Sequence, residues 1–147
     1  MAYELRESVP NPETFVALRE AAGMSPRSLE AARCGLPNTL YGVTMVEQPG
    51  ETTVGMARIV GDGGAVYHIC DMAVRPAHQG RGLGSRMMDA LMAYLEEHAP
   101  ETAYVNLMAD VDGFYEQWGF ERTAPVSKGM YLRADAGDAA DSVEDSV

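Results

Sequence analysis

Residues 79–84 read Gln-Gly-Arg-Gly-Leu-Gly, with Gly80, Gly82 and Gly84 at alternate positions between an apolar run and a long amphipathic one. Where a strand hands over to a helix, the first-turn N–H groups of the helix have no intrahelical partner. Such free donors bind anions, and glycines let the anion approach without meeting a Cβ. Two common glycine loops do not fit the spacing. A P-loop requires Gly-x-x-x-x-Gly-Lys-[Ser/Thr], and the sole lysine is Lys128. A dinucleotide fingerprint Gly-x-Gly-x-x-Gly would place its last glycine where Ser85 or Met87 stands.

Other reactive side chains form no such pattern. Cys34 and Cys70 are far apart, as two reduced structural thiols would be. His68, His78 and His98 show no metal-ligand spacing, so no metal is expected.

The elements around the glycines follow from capping residues and periodicity. A strand is expected over 3–7. A helix follows, with Asn11 as N-cap, Pro12 in its first turn and Gly23 as its stop. Ser25, Pro26 and Gly35 repeat that grammar for a second helix. Two β-rich runs, "NTLYGVTMVEQ" and "ETTVGMARIVG", flank a Pro-Gly turn. "AVYHICDMAV" (65–74) is apolar almost throughout, as in a central strand buried on both sides. Leu83, Met87, Leu91 and Leu95 recur at helical spacing after the glycines. A strand over 102–109, a short helix over 111–119 and a closing strand over 128–133 complete the order. The fold class is α/β: a mixed central β-sheet flanked by helices on both faces. Residues 1–133 form one domain, and the acidic tail 134–147, lacking a hydrophobic pattern, is expected to be disordered.

The 147 residues carry 22 acids against 11 bases, for a net charge of −11. That balance disfavours nucleic acid as a partner, since phosphate contacts need a basic face. No apolar run is long enough to span a membrane, and "MAYELRESVPNPE" has no basic, apolar leader pattern, so no membrane partner and a cytoplasmic location are expected. Acid excess with a single lysine resembles the proteins of extreme halophiles; an ordinary acidic bacterial protein is the alternative. A halophilic surface should show a melting temperature that climbs between low and molar KCl, because at ~1 M the Debye length falls to ~3 Å and the acids cease to repel one another. Indifference to KCl would favour the ordinary reading.

"DMAVRPAHQGRGLGSRMM" resembles the core motif of the GNAT superfamily of N-acetyltransferases, [Arg/Gln]-x-x-Gly-x-[Gly/Ala] after a strand ending in Val, here Gln79, Gly82 and Gly84. "FYEQWGF" (114–120) resembles the family's late [Phe/Leu]-Tyr-x-x-x-Gly-Phe signature. The resemblance implies the GNAT fold and acetyl-CoA as cosubstrate. The pyrophosphate would lie on Gln79, Gly80, Arg81, Gly82, Leu83, Gly84 and Ser85, with Arg86 near, and pantetheine would pair with Met72, Ala73 and Val74. A bulge near Met72–Val74 would free an N–H for the thioester carbonyl. Many members carry an Asn where this chain has Met108; Asn106 lies two residues earlier.

Transfer of acetyl from a thioester to an amine needs a base for the ammonium, an N–H donor for the oxyanion and a proton for the leaving thiolate. The resemblance makes Tyr115 the general acid. His68 is the candidate base: on an ideal strand it shares a face with Cys70 and Met72, and "HICDMAV" resembles the His-x-His-x-Leu-Ala-Val of the arylalkylamine N-acetyltransferases, with Cys70 replacing the second His. Asp71, on the opposite face, is the rival. His78 is expected to face solvent. The acceptor site would be lined by the first helices, residues 68–71 and the loop 124–130. A small amine, polyamine or peptide N-terminus suits an acidic protein. A homodimer is left open, and a non-catalytic acyl-CoA sensor on the same fold is the competing function.

Overall fold

The computed structural model describes residues 2–134. The acidic tail lies outside the described residues apart from Ala134. The chain divides into two compact units, Met1–Asp112 and Gly113–Val147.

The first unit is built on a five-stranded sheet. Its strands are β1 (Ala2–Arg6), β2 (Tyr41–Gln48), β3 (Thr52–Gly61), β4 (Val66–Val74) and β5 (Tyr104–Leu107), in spatial order β1-β2-β3-β4-β5. The first four pair antiparallel in sequence order. β5 pairs parallel to β4 after the crossover helix α3 (Leu83–His98). Asp62 sets the β3–β4 turn: its Oδ1 accepts from the N–H groups of Gly64, Ala65 and Val66 at 2.8–3.0 Å.

Helices cover both faces. Phe15 and Leu18 of α1 (Pro12–Ala21), Ala32 of α2 (Leu29–Gly35) and Leu36 pack in one cluster with Met56 of β3 and Ala73 of β4. Gly55, next to Met56 and so turned to the opposite face, lies under α3. A Cβ there would stand 3.3 Å from the Met87 Cε and 3.3 Å from the Ala73 carbonyl oxygen. Leu83, Met87, Leu91 and Leu95 are all buried, as their helical spacing predicts, and Met88 beside them is buried as well.

Several boundaries differ from the sequence expectation, among them the helix expected over 111–119, which is a 3-10 turn over Tyr115–Trp118. Helix α2 is capped by Ser28, whose Oγ accepts from the Ala31 N–H at 3.0 Å, and not by Ser25. The oxygens of Ser25 are committed elsewhere. Its carbonyl accepts from Arg19 Nε at 3.0 Å and Nη2 at 2.8 Å, which holds residues 24–27 as a loop. The expected strand over 102–109 is shorter, Tyr104–Leu107.

The second unit, described to residue 134, holds one 3-10 turn, Tyr115–Trp118, closed by Gly119 at φ +92°. Phe114 packs edge-on against Tyr115 and Trp118, with ring centroids 5.0 and 5.1 Å apart. The strand expected over 128–133 is irregular chain. Met130 and Leu132 do alternate, but a strand needs cross-strand partners, and here they stand 92 % and 93 % exposed.

Candidate active site

β4 carries the features that matter, one after another along its length. His68 stands opposite Val60 of β3 on one side and Asn106 of β5 on the other. Its Nδ1 lies 2.6 Å from the Asn106 Oδ1. An amide oxygen only accepts, so Nδ1 is the donor in this contact, and in the neutral ring the lone pair lies on Nε2. The ring is half-buried. The sequence singled out Asn106 only by its place two residues before Met108; that it orients His68 depends on the β4–β5 register.

Three residues on, the strand bulges. Between the pairs Met56↔Ala73 and Arg58↔Cys70, β3 has one residue, Ala57, and β4 has two, Asp71 and Met72. Asp71 adopts φ +58°, left-handed for a non-glycine residue. A bulge leaves one residue out of the ladder and re-aims the side chains beyond it. The bulge therefore corrects the expected faces. Asp71 joins His68 and Cys70 on the α1–α2 side, and Met72 passes to the other.

On its new side Asp71 is 8 % exposed and meets two guanidinium groups. Arg19 Nη1 donates to Oδ1 at 2.5 Å and Arg58 Nε to Oδ2 at 2.6 Å. Arg19, on α1, is 4 % exposed. Arg58 also donates to Thr39 Oγ1 at 3.0 Å and lies 5.6 Å from the Phe15 ring centroid. Losing Asp71 would leave two arginines facing each other without a counter-charge, a cost of about 3–5 kcal/mol for a buried pair, whereas losing Arg58 leaves the Arg19–Asp71 pair intact. Cys70 feels the same surroundings: burial, then the Asp71 charge, push its thiol up to about 12. At neutral pH it holds its proton and is a poor nucleophile.

β5 ends its pairing at Ile69↔Leu107, while β4 runs on to Val74. Among the described residues no other strand pairs with Cys70–Val74 on that edge. The edge leads into the glycine segment. Gly80 and Gly82 both adopt φ +77°, and a Cβ at either would meet nothing within 4 Å. Gly82 is the N-cap of α3 and supplies no side-chain acceptor, so the first-turn N–H groups of Leu83, Gly84 and Ser85 have no capping side chain. Leu83 buries its side chain.

The side chains of the segment are partly engaged. Gln79 Nε2 donates to the Val74 carbonyl at 3.0 Å, tying the loop to the end of β4. Arg81 Nη1 donates to the Tyr3 hydroxyl at 2.9 Å, and that hydroxyl lies 2.8 Å from the His78 Nδ1. His78 is thus packed against β1, a correction to its expected solvent-facing position. Tyr115 lies in the second unit, half-buried, at the start of the 3-10 turn. Among the described residues no cluster of three or more His, Cys, Asp or Glu could hold a metal ion.

The acetyltransferase (GNAT) domain family matches residues 40–122, which span β2, the bulged β4, the glycine segment and Tyr115. The chain belongs to the GNAT acetyltransferase family. This acetyltransferase is 41 % identical to the SA2161 protein of meticillin-resistant Staphylococcus aureus, whose structure superimposes with a TM-score of 0.85 over 90 % of this chain and 99 % of that one. It is 28 % identical over 116 residues to the uncharacterized N-acetyltransferase ycf52 of Porphyra purpurea, covering 78 % of this chain and 67 % of that protein. A GNAT family acetyltransferase from Brucella melitensis, solved in complex with acetyl-CoA, shares the fold at 18 % identity and a TM-score of 0.62, over 82 % of this chain and 84 % of that one.

Proposed function

We propose that this acetyltransferase moves the acetyl group of acetyl-CoA directly to a primary amine: a small amine, a polyamine or a peptide N-terminus. The observation that carries the reading is the sequence of features along β4, from the oriented His68 through the bulge to the open edge and the left-handed glycines.

The glycine segment suits a pyrophosphate. Gly80 and Gly82 leave open space where side chains would stand, and the uncapped amides of Leu83–Ser85 point donors at the α3 N-terminus, where the dipole favours negative charge. The unpaired edge at Met72–Val74 suits the amides of pantetheine, and an amide freed at the bulge suits the thioester carbonyl. His68, with Nε2 free to accept, takes the proton from the acceptor ammonium, directly or through water, as the first histidine of the arylalkylamine-type motif would. Tyr115 gives a proton to the leaving thiolate, a role supported by its place in the FYEQWGF motif. The high pKa of Cys70 argues against an acetyl-cysteine intermediate and for direct transfer.

Gly82→Val tests the cradle. Valine at φ +77° costs about 1–2 kcal/mol of backbone strain, and its side chain would occupy the approach to the α3 amides. We expect a folded protein whose acetyl-CoA affinity, measured by calorimetry, falls at least about tenfold from a wild type that binds one per chain. Wild-type affinity in Gly82→Val would mean the anion lies elsewhere.

A further inference from the structure

The chemistry above gives no task to Arg19 and Asp71, the buried charged residues among those described. Asp71 is clamped from two directions. Arg19 reaches one carboxylate oxygen from α1 and is itself held at its other nitrogens by the Ser25 carbonyl and hydroxyl. Arg58 reaches the other oxygen from β3 and is braced by Thr39. Both oxygens of Asp71 therefore point at guanidinium groups, which leaves the carboxylate poorly placed to take a proton from an amine. That removes it as the rival general base.

The clamp has another effect. Asp71 sits at φ +58°, a left-handed conformation uncommon for a residue with a Cβ and best tolerated by Asn and Asp. That same torsion creates the bulge. It sets which way the amides of residues 71–73 point and turns Ala73 back into the cluster with Phe15 and Leu18. We infer that the Arg19–Asp71–Arg58 clamp is a positioning device: it holds the β4 bulge, and with it the amide that polarises the thioester carbonyl, in the catalytic direction. The inference rests on the acetyl-transfer reading for its kinetic consequence but not for its mechanical one.

Arg58→Gln is the variant of choice. It removes the less buried arm and leaves the Arg19–Asp71 pair in place, so the fold should persist; Arg58→Lys restores charge without the planar fork. Asp71→Asn keeps the size of the side chain and its tolerance of positive φ but removes the charge. Two readouts are needed: steady-state kinetics well below the melting temperature, and amide hydrogen exchange in the free protein. In Arg58→Gln, kcat should fall about ten- to a hundredfold, short of the 10²–10³ for complete loss of an oxyanion donor, with KM for acetyl-CoA within about twofold. Arg58→Lys should recover part of kcat. Exchange in peptides covering 70–74 should accelerate about tenfold or more in Arg58→Gln and Asp71→Asn, with α3 unaffected.

Full kcat in folded Arg58→Gln would overturn the inference, because the clamp would then serve stability alone. A lowered kcat with unchanged exchange at 70–74 would also overturn it, placing Arg58 on the substrate instead. If the wild type transfers acetyl to no amine, the functional reading fails by itself, and unchanged exchange in both variants would still refute the clamp.

Discussion

Tyr115→Phe is expected to lower turnover by about 10²–10⁴-fold, the range typical of a lost general acid, with acetyl-CoA affinity nearly unchanged. A phenol is protonated at neutral pH and can donate to a thiolate that would otherwise leave as a bare anion. Phenylalanine keeps the ring, and so the edge-on contact with Phe114 at 5.0 Å that packs the 3-10 turn. The substitution therefore separates proton donation from packing. Single-turnover kinetics should show the loss in the chemical step. Full turnover under conditions where chemistry limits the rate would make Tyr115 a packing aromatic and assign the proton to water or another group.

His68→Gln should show a defect that depends on pH, about 10²-fold near neutrality and shrinking as the solution becomes more alkaline. The sign follows from the acceptor. Below its pKa an alkyl amine is mostly ammonium, and the neutral fraction grows about tenfold per pH unit as that pKa is approached. A base matters most where the ammonium dominates and has little left to do where the free amine is abundant. Glutamine keeps a polar side chain with an N–H donor in the place of the ring that meets Asn106. A defect of equal size at every pH would mean that His68 holds structure or substrate and does not move the proton.

The long central strand, the glycine segment and α3 were legible in the sequence because each rests on local chemistry. Asn11 and Pro12 start α1, Leu83, Met87, Leu91 and Leu95 give α3 its buried stripe, and alternate glycines mark a turn whose left-handed backbone disfavours a side chain. What escaped depends on long-range pairing. Reading residues 68–72 with a strict period of two puts Asp71 opposite His68, and only the register with β3 reveals the extra residue that brings both to one side. The partner Arg19 lies 52 positions away, and nothing in the spacing ties the two together. The same arginine explains the misplaced helix cap, since Ser25 serves it rather than α2.

A signal was nevertheless present. An acid in the middle of an otherwise apolar strand either meets a cation or marks a backbone irregularity, and Asp71 does both. Asn106 drew notice only beside Met108, and its partnership with His68 becomes visible only in the β4–β5 register. The closing strand at 128–133 failed in the opposite direction: Met130 and Leu132 alternate as a strand would, yet alternation alone supplies no ladder partner.

The central claim, direct acetyl transfer to a primary amine, is tested most directly by measuring thiol release from acetyl-CoA across a panel of small amines, polyamines and short peptides while quantifying the acetylated amine by mass spectrometry. The account predicts that at least one class of primary amine raises thiol release well above hydrolysis, that one acetylated amine appears per thiol, and that the rate follows the neutral form of the amine. Acetyl-CoA bound one per chain with no amine-dependent thiol release from any member of the panel would contradict it, and would make the protein an acyl-CoA sensor built on the acetyltransferase fold.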